Sequence, residues 1–210
     1  MDRSNHHFKF KGIDLNQYSV IDSWMTIYKS GYEFTMLQLA QYSKTGIFEK
    51  DKKLDIFYKS AKNAKLRVGG YFNSKALTYD DLDFEIDFIR ELMFKKEFDL
   101  PIAIGFDDEF DFKRTGTKEE LTDLIQYGLD ALQEYKIPAM IKTDYDYFYS
   151  QLIPNQLKPY YRWLIKWSDN RIRRHDCDML QYAYTSGVPG VRYSCGADMC
   201  YFNLNKINKT

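Results

Sequence analysis

Short apolar runs alternate with amphipathic segments along the chain, and this alternation narrows the folds open to it. "FKGIDL" (10–15), "FTMLQL" (34–39), "LRVGGYF" (66–72), the start of "FDLPIAIGFDDEFDF" (98–112) and "PAMIKT" (138–143) read as strands. Segment 21–30 between them reads as a helix. The next helix places Leu54, Phe57, Ala61 and Ala64 on one face, and a later one does the same with Leu121, Leu124, Ile125, Leu129 and Leu132. Thr117 and Glu120 form a capping box at the start of the latter. "LDFEIDFI" is ambiguous, because Leu82, Phe84, Ile86 and Phe88 alternate while Leu82, Ile86, Ile89 and Met93 fit a helix. Its length and the pair Thr78 and Asp81 favour a helix. After residue 143 the helical signals weaken, and "RWLIKW" (162–167), "DMLQYA" (178–183) and "MCYFNL" (199–204) read as three further strands. The pattern predicts an α/β fold, an irregular (β/α) barrel of TIM type whose last strands lack full helices. It is expected to be one domain over 10–210, after a flexible N-terminus at 1–9.

Charge and composition exclude some roles. Thirty basic and thirty acidic residues cancel, which gives no electrostatic footprint for a nucleic acid. No apolar run approaches the roughly 20 residues of a membrane span. The opening "MDRSNHHFKFKG" has no apolar core of a signal peptide, so the sequence leaves the location open. Cys177, Cys195 and Cys200 are an odd set that allows one bridge. With His175 they lack a usual zinc spacing, so neither metal nor cofactor is expected. The run "RIRRH" (171–175) reads as a solvated loop. Aromatic residues make up 17% of the chain; most belong to a core, and tyrosine also suits the wall of a sugar cleft.

In a barrel of this type the active site lies at the C-terminal ends of the strands. Asp14 stands near the end of the first strand, and Asp107 follows the fourth. Asp198 precedes the expected eighth. Acids at strand ends also serve simply as solvated loop residues, so position alone does not assign them chemistry.

Four segments, in order, resemble glycoside hydrolase family 25, the lysozymes that cut bacterial peptidoglycan. "KGIDLNQYSVID" resembles the family's opening G-I-D-V-S, aromatic, I-D, and "VGGYFNSKA" resembles its third strand. "LQYAYTSGVPGV" resembles W-Q-Y with V-P-G-I, and "GADMCYF" resembles G-N-V-D-L-N-x-F. The matches span about residues 10 to 204. The resemblance implies an irregular (β/α) barrel and hydrolysis of the β-1,4 bond after N-acetylmuramic acid, with peptidoglycan or a related glycan as partner. It also implies an acid in a P-x-x-x-D-x-E segment on the fourth strand, with Asp residues on the first and eighth.

Aligned on Pro101, the family's first Asp falls on Gly105 and its Glu on Asp107. Asp14 and Asp198 are kept, and Tyr71 matches the strand-three tyrosine. Lys142 replaces a tyrosine, and Leu180 the tryptophan of W-Q-Y. Asp107 and Glu109 themselves spell D-x-E two residues late, and a bulge would turn that pair inward. The candidate catalytic residues are therefore Asp14, Asp107, Glu109 and Asp198. Tyr71, Lys142, Trp167 and Tyr182 are the candidate substrate-binding residues. Two readings stay open: a hydrolase with weak or absent cleavage, and a non-catalytic module on the same fold that binds glycan or a protein partner.

Overall fold

The computed structural model describes residues 9–106, 114–167 and 176–204. Nine strands and five helices follow in the order β1 (Phe10–Leu15), α1 (Trp24–Lys29), β2 (Tyr32–Tyr42), β3 (Phe48–Lys50), α2 (Leu54–Asn63), β4 (Arg67–Asn73), α3 (Tyr79–Met93), β5 (Ile102–Gly105), α4 (Lys118–Glu134), β6 (Ala139–Asp144), α5 (Tyr145–Gln151), β7 (Tyr161–Ile165), β8 (Met179–Thr185) and β9 (Cys195–Cys200) among the described residues. Eight strands run in the order β1-β9-β8-β7-β6-β5-β4-β2, and pairing of β1 with β2 closes the barrel. The short β3 lies outside the ring as a hairpin on β2. Pairing around the ring is parallel except at β9, which runs antiparallel to both β1 and β8.

Alternation along each strand divides the core in two. Phe34, Met36, Tyr71, Ala103, Met140, Trp163 and Met179 pack inside the barrel. Ile13, Leu37, Phe72, Ile104, Ile141 and Leu164 face outward and pack with Ile86, Ile125 and Leu129 of the helices. The strands are thus apolar on both faces, which is why they read as nearly continuous apolar runs.

The ambiguous segment is α3, with Leu82, Ile86 and Ile89 buried and the Thr78–Asp81 capping box formed. In α4 the Thr117 hydroxyl accepts from Glu120 N at 3.2 Å, and the Glu120 carboxylate accepts from Thr117 N at 2.8 Å. Thr117→Ala removes one half of this exchange and should cost about 1 kcal/mol. Urea unfolding checks it; a change of a few tenths would show that packing alone holds the helix start.

Three expectations need correction. The last strand is Cys195–Cys200, four residues before the expected 199–204. The apolar tail misled the reading: Tyr201 and Leu204 are buried beyond the strand, and Leu204 joins the interior cluster. Helix α5 was not expected either; Asp144 caps it, accepting from Asp146 N and Tyr147 N. Strand β3 was likewise missed, being too short to show a period. Among the described residues no helix follows β7, β8 or β9, and no helix is long and apolar enough to cross a membrane.

Candidate functional site at the barrel mouth

Asp14 lies next to last in β1 and is partly exposed at the mouth. Because β9 runs the other way, Asp198 enters the same region from mid-strand, opposite Gly12 on one side and Gln181 on the other. Asp198 is fully buried. Its Oδ1 accepts from Trp163 Nε1 at 2.9 Å. Gln181 Nε2 donates to Asp14 Oδ2 at 2.5 Å. Gly196 makes this possible, since a Cβ there would fall on Asp14 Oδ2 and stand 2.5 Å from Gln181 Nε2.

The two carboxyls are electrostatic neighbours. Asp198 Oδ2 is buried with no hydrogen-bond partner among the described residues. Two buried carboxylates this coupled resist carrying both charges, so the pair favours keeping a proton. Burial raises both carboxyls above their ordinary range, Asp198 the more, and the neighbouring Asp14 charge raises Asp198 further. Lys142 pulls both the other way.

A carboxyl raised in the folded state stabilises the fold fully below its ordinary range, and that share is lost as pH climbs through its folded value. Asp198→Asn removes, at every pH, the charge that burial and Asp14 disfavour, and Oδ1 still accepts from Trp163. The variant should therefore gain stability over the wild-type chain between about pH 4 and about pH 8. Urea unfolding at both ends tests this. An equal loss at both would show that the fold does not raise the proton affinity of Asp198.

The opposite wall is built differently. Asn73, Gly105, Lys142 and Trp163 lie side by side across β4, β5, β6 and β7. A Cβ on Gly105 would fall on Asn73 Oδ1 and stand 3.3 Å from Asn73 Cα. The Asn73 side chain thus fills the space that a longer residue would need. Lys142 is buried at 6% exposure, with its ammonium 5.3 Å from the Tyr71 ring centre and 5.4 Å from that of Trp163. Tyr71 is itself buried and lies edge-on to Trp163.

At the rim, Trp167 is exposed and its Nε1 donates to Gln181 Oε1 at 3.2 Å. Tyr184 lies beside it, ring centres 6.2 Å apart. Tyr182 is half-exposed at an irregularity in the pairing of β8 with β9, and its neighbour Gln181 is the residue that reaches Asp14. Leu180 packs in the outer layer, so its difference from tryptophan does not alter the mouth. Asp107 and Glu109 lie outside the described residues. Trp163, Gln181 and Asn73 were not singled out from the sequence, although Gln181 is the Q of the quoted W-Q-Y match.

The three cysteines are free thiols. Burial pushes Cys195, near the acid pair, up to about 12, so it is no thiolate nucleophile. Among the described residues no group of three or more His, Cys, Asp or Glu side chains is placed to hold a metal ion.

No protein-family model and no curated protein sequence matches the chain. Solved structures do match its fold. A bacterial lysozyme from Streptomyces coelicolor is similar at 13% identity with a TM-score of 0.76, over 96% of each chain. A family 25 glycosyl hydrolase from Bacillus anthracis is similar at 17% identity and TM-score 0.72, over 97% of this chain and 92% of that one. The modular autolysin LytC from Streptococcus pneumoniae, solved with a synthetic peptidoglycan ligand, is similar at 15% identity and TM-score 0.79. That match covers 92% of this chain but 47% of LytC. The fold is the irregular TIM-type barrel of these lysozyme-like hydrolases.

Proposed function

We propose that this barrel engages peptidoglycan or a related glycan at its mouth and cleaves the β-1,4 bond after N-acetylmuramic acid weakly or not at all. The observation that carries the reading is Gly105, which stands where the family pattern has a carboxylate and whose side-chain space Asn73 fills.

Glycoside hydrolysis needs one carboxylic acid to protonate the leaving oxygen and a second group to stabilise the oxocarbenium-like state. Asp14 is exposed enough to meet a sugar. Asp198 is not; it acts through Asp14 as a positioning residue. In the ungapped alignment Asp107 takes the place of the acid, one methylene short, and Glu109 is the alternative. A glycan ligand is supported by LytC, which was solved with a peptidoglycan ligand. The second reading, a non-catalytic glycan- or protein-binding module, is favoured by the exposed Trp167–Tyr184 pair, which offers aromatic faces to a ligand.

The test is turbidity loss and muropeptide release from purified cell walls, with an active family 25 lysozyme as control. Turnover close to the control would overturn the reading.

A further inference from the structure

We propose that Lys142 makes the mouth selective for N-acetylated, uncharged amino-sugar chains over de-N-acetylated chains that carry an ammonium on each ring. The proposal rests on the glycan-binding reading above and adds the class of glycan.

Lys142 projects from β6 between Gly105 of β5 and Trp163 of β7. An ammonium this buried requires compensation. Its described surroundings provide it: two aromatic faces at 5.3 and 5.4 Å, and the favourable field of Asp14 and Asp198. The charge is therefore a fixed part of the wall. Acids and aromatic faces are the groups that would otherwise attract a cationic ring, and here they already serve the lysine. An incoming glucosamine ammonium meets a like charge in a poorly solvated place, where repulsion is weakly screened. An N-acetylglucosamine ring carries no charge and meets no such penalty. The same stem could be filled by methionine without burying a charge, so packing alone does not call for lysine here.

The experiment uses wild type, Lys142→Met and Lys142→Arg, each checked for folding by near-UV circular dichroism. Calorimetric titration compares a chitin tetramer with a chitosan tetramer. Wild type should bind the acetylated tetramer at least about tenfold more tightly. Lys142→Met should lose the preference, its ratio of chitin to chitosan affinity falling to within about threefold of one. Lys142→Arg should keep the preference. Carboxyl NMR gives a readout that packing would not move: the Asp14 carboxyl should titrate at higher pH in Lys142→Met, because the lysine's lowering effect is gone, and should not rise in Lys142→Arg. Equal binding of both tetramers by wild type overturns the proposal and leaves the glycan-binding reading standing. So does a preference that persists in folded Lys142→Met. Binding of neither tetramer by any variant overturns both.

Discussion

Trp163→Ala is expected to destabilise the chain by about 3–5 kcal/mol. Trp163 is fully buried and heads the largest such side chains among the described residues. It sits inside the barrel with its ring edge-on to Tyr71 at 5.6 Å, and truncation leaves a void that a closed ring of strands cannot collapse to fill. It also removes the N–H that Trp163 donates to Asp198 Oδ1, so a buried acid loses that donor. Trp163→Phe separates the two effects: it keeps most of the volume and loses the donor, and should cost about 1–3 kcal/mol. Urea midpoints at unchanged slope measure both. A loss below about 1 kcal/mol for Trp163→Ala would refute its place at the centre of the barrel.

The parts of this fold that were legible are those whose signals are local. Helix α4 has its capping residues and one apolar face within a single stretch, and α3 is resolved from a competing strand pattern by its cap. Strand β9 was misplaced because its interior positions include Gly196 and Asp198, which do not look like strand residues. They are there because β1 and Gln181 come close, a contact made only when the barrel closes. The Gln181–Asp14 bond joins residues 167 apart in sequence. Asp14 was legible as an acid at a strand end. Its partnership with Asp198 depends on the reversed direction of β9, which no periodicity reveals. Asn73 was not legible either, because its importance lies in the space beside a glycine on the neighbouring strand.

Cell-wall hydrolysis by the wild-type chain is expected to run about a hundredfold or more below an active family 25 lysozyme, the scale of loss that a misplacement of about 1 Å produces. The sequence suggests restoring the family pair with Gly105→Asp and Asp107→Glu. The geometry at Gly105 changes what this double variant should do. Its new Cβ falls on the Asn73 amide, so the carboxylate cannot enter while that side chain stays. The double variant must displace that amide and is therefore expected to fall short of the triple variant that follows. Adding Asn73→Ala clears the amide, and the triple variant should gain about tenfold or more over wild type, the least that a positioned acid contributes being larger still. If the triple variant folds and gains nothing, Lys142 is the next suspect, because it stands beside position 105 on the neighbouring strand and replaces the family's tyrosine. Lys142→Tyr on the triple background then tests it. Wild-type turnover close to the control would sink the loss-of-function reading outright. In that case Glu109→Gln decides between the two D-x-E registers: abolished turnover makes Glu109 the acid, and retained turnover leaves the role to Asp107.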